Sequence, residues 1–469
     1  MKNETAQLAA ATPNIAAAIA RFAAALQPAD IPAEVWSKSV HHIMDAVGLA
    51  FASHHFPFAA PGLAGIAAAG SPGAATVVGS PLRLAPRDAA LANGYLMHAL
   101  DFDDTHPGAI VHPTVACLPT ALALCEDLDL NWGQLVAAYV AGMETSIRIG
   151  RAVKGGFHHA GFHATGLVSH FSAAVIAGKL MGLDAAQLTG AQGIAASTAS
   201  GVQVFLETGA WTKRLHPGWG AMAGITAATL VRHGFDAPVR PYEGRFGFFE
   251  THMQTHMQGV DLASMAAGLG SEWTLLDTAI KPYPVCHFIH GAAEAALQLH
   301  GTLQPGEQIR HIRIELPADT LPIVAEPHAA KAVPRTDYEA KFSAHFVVAT
   351  CLLRGRFGLA ELEAASLADP EILALCQQVE CVAEEGSTFP KHFSGAVTLT
   401  LASGETRSCR IPVNLGSGER ALGRDDIVAK FRGTAGVRLS PKRTDAVLQA
   451  LLTATPATPV RAITAVLGA

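Results

Sequence analysis

Apolar residues recur at spacings of three and four along the first half of the chain. In "IAAAIARFAAALQ", Ile15, Ile19, Phe22 and Leu26 form one stripe; in "PAEVWSKSVHHIMDAVGLAFAS", Val35, Val40, Ile43 and Val47 form another. That period puts each set on one face of an amphipathic helix. Alanine, the best helix former, dominates "HFSAAVIAGKLMGL" and "GAMAGITAATLVRHGF". Gly and Pro separate these segments, so residues from about 14 to 270 read as mostly helical.

Near residue 305 the period shortens. "EQIRHIRIELP" alternates through Ile309, Ile312 and Ile314 and predicts a strand; "FSGAVTLTLASGETRSCRIPV" predicts two strands turning at "ASGE". The intervening "YEAKFSAHFVVATCLLRG" and "PEILALCQQVE" read as helix, and "GRDDIVAKFRG" and "DAVLQALLTA" return to helix. The expected fold class is mainly α with an α+β part. A helical domain takes residues 1–275 and 416–469, and an α+β unit, 276–415, is inserted into it. No fixed-period repeat marks a solenoid.

Composition narrows the function classes. The 469 residues are 50% hydrophobic and only 15% charged, against roughly 25% charged in ordinary soluble proteins. Large helical cores and a subunit interface would absorb that apolar excess, so a homodimer is expected. The formal charge is −6 and no Lys/Arg run occurs, which excludes a nucleic-acid partner. No stretch approaches the 18 apolar residues of a membrane span. The Ala-rich start is broken by Asn3, Glu4, Gln7, Pro13, Asn14 and Arg21 and does not read as a signal peptide. Seven scattered cysteines, none in Cys-x-x-Cys, point to a reducing, cytoplasmic setting.

The chemistry gathers in a few places. "HALDFDDTHPGAIVHP", His98 to Pro113, packs three aspartates and three histidines into a chain otherwise poor in charge. Tyr95, His98 and Phe102 share a helical face, so a helix ending near Asp103 or Asp104 is expected, with Asp101 and Thr105 at its end and His106 and His112 in the following loop. Three readings compete: a solvated loop, a metal site, or an acid/base site. A metal would want tight, repeated His/carboxylate spacing, and no second such cluster exists. Further basic groups stand ahead of Gly/Ala-rich helices: His158, His159 and His163 in "KGGFHHAGFHATG", Lys213, Arg214 and His216 in "WTKRLHPGWGAMAG", and Lys281, Tyr283, Cys286, His287 and His290 in "AIKPYPVCHFIHGAAEAAL". Cations and helix N-termini together suit a substrate with several carboxylates.

"HALDFDDT", "GFHATG", "TKRLHPG", "IKPYPVCH" and "EAKFSAHFVVATCLLRG", in this order over nearly the whole chain, resemble the signature segments of the MmgE/PrpD family. That family includes 2-methylcitrate dehydratases, cis-aconitate decarboxylases and iminodisuccinate epimerases. The resemblance implies a large all-helical domain completed by the tail, an inserted α+β lid domain, a homodimer, and no metal or organic cofactor. It implies a small polycarboxylate substrate and a pocket holding Asp101, Thr105, His112, His163, Lys213 and Lys281. His163, His112, Asp101 and Lys213 would be catalytic; Thr105, Lys281, His216 and His287 would bind substrate. Phe346, beside His345, stands where the decarboxylase branch has tyrosine, the Thr105–His112 loop is one residue longer, and His287 replaces a common arginine.

The family's reactions all move a proton at a carbon next to a carboxylate. Histidine suits the proton, and lysine suits the negative charge that develops. A cofactor-free lyase is therefore the leading expectation. An epimerase is the alternative within the family. A metal-dependent hydrolase or a non-catalytic binding protein are the alternatives outside it.

Overall fold

A computed structural model describes residues 14–468 of the protein. Most of the start read against a signal peptide, residues 1–13, lies outside the described residues. The chain divides into two compact units: one runs to Thr278 and resumes at Arg424, and the other is Ala279–Gly423.

The first unit is built from helices α1 (Ile15–Ala25), α2 (Ala33–Ser53), α3 (Pro86–His98), α4 (Thr114–Asp127), α5 (Trp132–Val153), α6 (Ala164–Leu180) and α7 (Thr212–Arg232). Local chemistry sets several of their starts. The Asn14 side chain accepts from the Ala17 amide at 3.0 Å, and Asn131 and Gln134 cap α5 reciprocally. The unit is not all-helical, as the family resemblance implied. Strands β1 (Pro72–Thr76) and β2 (Arg83–Leu84) pair antiparallel in it. They are too short for alternation to show.

Helix α7 packs against both α3 and α6. Small residues make these crossings close. A Cβ on Gly94 of α3 would stand 2.6 Å from the Gly218 Cα of α7, and one on Gly220 would stand 2.5 Å from the Ser169 Cβ of α6. The elements that carry His98, His163 and Lys213 are thereby held at near backbone contact.

Two helix boundaries differ from expectation. Helix α3 ends at His98, not near Asp103 or Asp104, so Phe102 is not on its face. Asp101 takes a left-handed conformation, φ 53°, which no helix continues. The side chains of Asp103 and Asp104 then bind groups of the core. Helix α7 begins at Thr212, so Lys213, Arg214 and His216 sit inside its first turns instead of preceding it.

In the second unit the strands β3 (Ile309–Leu316), β4 (Val379–Ala383), β5 (Gly395–Leu401) and β6 (Thr406–Ile411) form one sheet in the order β4-β3-β5-β6. The hairpin β5–β6 turns at Ala402–Glu405, as the alternation predicted. Strand β4 pairs parallel with β3; it falls where "PEILALCQQVE" read as helix, which in fact stops at Cys376. Helix α8 (His290–His300) lies on β5 and β6, and α9 (Ala344–Arg354) starts at Ser343, whose hydroxyl caps the Phe346 amide. The chain then re-enters the first unit as α10 (Arg424–Ala435), which packs on α2, and α11 (Pro441–Thr453). None of the described helices is long and apolar enough to cross a membrane. All seven cysteines are free thiols.

Candidate active site

The loop after α3 folds inward because its aspartates bind core groups. Asp104 accepts from the Thr114 hydroxyl at 2.5 Å and stands 3.0 Å from Nδ1 of buried His42. Tyr139 in turn donates to Thr114 at 2.6 Å. Asp103 Oδ2 lies 2.8 Å from His98 Nδ1 and 3.4 Å from His112 Nδ1. Asp101 Oδ2 pairs with Lys213 Nζ at 3.0 Å, with both side chains buried. The loop is braced from beneath by α10: Lys430 Nζ meets the Asp45 carboxylate at 2.8 Å, the Phe102 carbonyl at 2.8 Å and the Phe102 ring centroid at 3.9 Å.

Four histidines converge around that loop. The His98 and His163 rings stack with centroids 5.5 Å apart and planes 19° apart, and the His98 and His112 centroids are 5.0 Å apart. His163 Nδ1 is 3.0 Å from His216 Nδ1. His163 stands at the residue before α6, and the His112 amide donates to the Thr165 hydroxyl in the first turn of that helix at 3.0 Å. Phe205 closes against both His163 and His216, edge-on.

The surroundings set the protonation states. His112 Nδ1 lies 2.7 Å from the Asp104 carbonyl oxygen. A carbonyl can only accept, so Nδ1 carries the hydrogen and, in the neutral ring, Nε2 carries the lone pair. Burial lowers the His163 pKa well below the usual histidine value, with His216, Lys213, His98 and His112 adding to the effect. Burial likewise brings His216 down to about 4, with His98, Lys213 and His170 contributing. Both imidazoles are therefore uncharged at neutral pH. His106, also buried and lowered to about 3, accepts from the Ala109 amide and holds the loop's turn.

One donor set resembles a metal site: the ligand atoms of His98, Asp103 and His112 lie within 4.8 Å of one another. In both histidines Nδ1 is engaged within the protein. His112 Nδ1 faces the Asp104 carbonyl as a hydrogen donor, and His98 Nδ1 faces Asp103 Oδ2 at hydrogen-bond length. These nitrogens serve a hydrogen-bond network.

Residues 17–259 match the MmgE/PrpD N-terminal domain, and residues 283–454 match the MmgE/PrpD C-terminal domain. The chain belongs to the MmgE/PrpD family. Curated relatives of this MmgE/PrpD protein include a cis-aconitate decarboxylase-like protein of Aspergillus oryzae, 26% identical over 84% of this chain and 85% of that protein. The human cis-aconitate decarboxylase is 29% identical over 78% of this chain and 76% of its own. A 2-methylcitrate dehydratase of Cupriavidus necator is 31% identical over 36% of this chain and 37% of its own.

Of the residues singled out in the sequence, Asp101, Thr105, His112, His163, Lys213 and His216 are brought together in the first unit of this MmgE/PrpD chain. Thr105 Oγ1 is 3.2 Å from His112 Nδ1. Lys281 and His287 are on the second unit, both buried. Asn414 donates to His287 Nε2 at 2.9 Å, since its carbonyl oxygen is taken by the Phe393 amide. Phe346 is fully buried in α9. Sequence reading missed His98, Asp103, Asp45 and Lys430 as parts of the site. The first two lay inside the quoted motif; the last two had no local signal.

Proposed function

We propose that this MmgE/PrpD protein is a lyase, needing no metal or organic cofactor, that moves a proton next to a carboxylate of a small di- or tricarboxylate. The observation that carries the reading is the buried, uncharged His163, with the Lys213 ammonium near it, beside His112 with its hydrogen directed to the Asp104 carbonyl. An imidazole lone pair suits a general base near neutral pH, and a fixed ammonium suits a substrate carboxylate whose charge rises in the transition state. Asp101 holds Lys213 in place and Thr105 supplies a hydrogen bond. Lys281 and His287 are assigned to substrate carboxylates by the family resemblance.

Among lyase reactions, decarboxylation of cis-aconitate or a close analogue is the first choice. The relatives matched over three quarters or more of this chain bear decarboxylase names. Loss of carbon dioxide leaves an electron pair on carbon, and a protonated imidazole nitrogen closes the reaction by donating to it. Dehydration of 2-methylcitrate is the second reading, favoured by the relative matched over the shorter segment. The protein acts as a homodimer in this proposal, which draws support from exposed large apolar side chains such as Val202 (54% exposed), Trp211 and Phe246 (84%). The free cysteines support a cytoplasmic setting.

Proton NMR in deuterium oxide tests the reaction. With cis-aconitate, 2-methylcitrate and iminodisuccinate offered in turn, we expect loss of a carboxylate with deuterium taken up at the reacting carbon, or loss of water with loss of the proton on the neighbouring carbon. His163→Ala should slow it by at least about 100-fold. Lys281→Ala should raise KM about tenfold or more, the worth of a charge-assisted hydrogen bond. Activity that survives His163→Ala unchanged, or that vanishes with a chelator, would end the reading.

A further inference from the structure

The contact between His163 and His216 is unusual because it joins the same atom of each ring, Nδ1 to Nδ1, at 3.0 Å. Two neutral imidazoles so placed share one hydrogen: one nitrogen donates and the other accepts. The geometry is enforced from several sides. The His163 amide donates to the Gly201 carbonyl at 2.9 Å. A Cβ on Gly201 would stand 3.2 Å from His216 Nδ1, and one on Gly166 would stand 3.3 Å from His216 Cβ. Gly201 has φ +133°, a conformation that keeps side chains out of that place. Phe205 covers both rings at centroid distances of 5.9 and 5.8 Å.

The far nitrogens differ. His163 Nε2 is buried without a hydrogen-bond partner. His216 is only partly buried and keeps contact with solvent. Lys213 on α7 and the imidazoles of His98, His112 and His170, on α3, the adjoining loop and α6, act against an imidazolium here, while the nearby carboxylates are taken: Asp101 by Lys213 and Asp103 by His98 and His112. A proton taken up at His163 with nowhere to go would create a buried cation among these groups.

We propose that His163 and His216 form a proton relay, in which His216 exchanges with water each proton that His163 exchanges with substrate. When His163 Nε2 takes a proton from carbon, the Nδ1–H bond of His163 breaks and its proton bonds to Nδ1 of His216. The Nε2–H of His216 then passes to water, and the electron pair of the broken C–H bond remains with the substrate. Each ring ends neutral in its other tautomer. Run backward, the same steps carry a proton from water to a substrate carbanion, which is what decarboxylation needs. His216 is thus a positioning and relay residue, not the carboxylate ligand that its motif implied. The inference rests on the proposed reaction only for its direction.

Two measurements test it. In the unliganded wild-type protein with nitrogen-15 histidine, a nitrogen–nitrogen coupling across the hydrogen bond should join His163 Nδ1 and His216 Nδ1 at neutral pH, with both rings neutral. Absence of the coupling, or a charged ring, overturns the relay whatever the substrate. In turnover of cis-aconitate or 2-methylcitrate, His216→Phe keeps a ring against Phe205 and removes the nitrogen. We expect kcat to fall on the order of 100-fold with KM nearly constant, and His216→Asn to leave kcat low despite a restored hydrogen bond. Wild-type kcat in His216→Phe overturns the relay. A raised KM at unchanged kcat does too, since it returns His216 to substrate binding. If neither acid turns over in the wild type, the reaction proposed above fails, while the coupling still decides the hydrogen-bonded pair.

Discussion

Replacing Lys430 by methionine removes the ammonium that faces Asp45 beneath the loop after α3 while keeping most of the side chain's length. Asp45 is fully enclosed. Burial raises its carboxyl from 3.8 to about 6, even with Lys430 pulling it down and Asp104 and Asp103 pushing it further up. At 1.36 kcal/mol per unit, this rise destabilises the wild-type fold at pH 7 by about 3 kcal/mol. The folded carboxyl binds its proton more tightly than the unfolded one. The penalty is therefore fully present above the folded pKa, shrinks as pH falls through about 6, and is gone below 3.8. Without Lys430 the carboxyl stays protonated at pH 7, at about 4.4 kcal/mol relative to the unfolded chain. The variant thus carries about 1.4 kcal/mol of extra pH-dependent loss at pH 7 and about 0.1 at pH 5, where both proteins hold the proton. A constant loss of about 1 kcal/mol for the hydrogen bond to Phe102 adds to both. All five tryptophans, 36, 132, 211, 219 and 273, lie in the helical unit, so urea unfolding followed by their fluorescence reports that unit alone. A deficit in Lys430→Met that is the same at pH 5 and pH 7, or larger at pH 5, would refute the reasoning.

Two further outcomes are expected. Gly218→Ala drives a methyl into the Leu91 carbonyl at the α3–α7 crossing, so it should lower the stability of the helical unit by about 1–3 kcal/mol in the same urea assay; an unchanged midpoint would show that the helices can separate freely. Because burial lowers the pKa values of His163 and His216, the acid limb of kcat/KM moves down. Activity at pH 5.5 should nearly equal that at pH 7.5, whereas a base with the ordinary value of about 6.5 would have lost about tenfold; a limb centred near 6.5 would contradict the buried, neutral assignment.

The legible parts of the molecule were those encoded by local periodicity. The alternation through Ile309, Ile312 and Ile314 and the hairpin at "ASGE" needed no partner elsewhere to be recognised. Strand β4 escaped because Ile372 and Leu375 keep a helical spacing up to its edge, and its parallel partner β3 lies some sixty residues earlier. The end of α3 was misplaced because the chain stops the helix at His98 and turns at Asp101 through a left-handed conformation that no spacing reveals. In the candidate site, the motif "HALDFDDT" marked the loop that carries Asp101, Asp103 and Asp104, yet the pairing of aspartates with histidines depends on how that loop turns inward. The Asp45–Lys430 pair joins residues 385 apart in sequence, and only the packing of α10 on α2 brings them together. His216 was noticed as a cation near a helix start; its same-atom contact with His163 follows from glycines 166 and 201 leaving room for the ring.

The return of the chain at Arg424 has a consequence for biosynthesis. On the ribosome, the sheet-bearing unit can close as soon as Gly423 has emerged, from residues contiguous in time as well as in sequence. The helical unit must wait longer although it begins first. Until α10 arrives, the α2 surface that it covers stays open and Asp45 lacks its cation. A nascent chain paused before that point is thus a half-built unit with an uncovered helix face, the form that chaperones bind and proteases cut. Arrival of residues 424–435 covers that surface and brings Lys430 to Asp45 beneath the loop that follows α3.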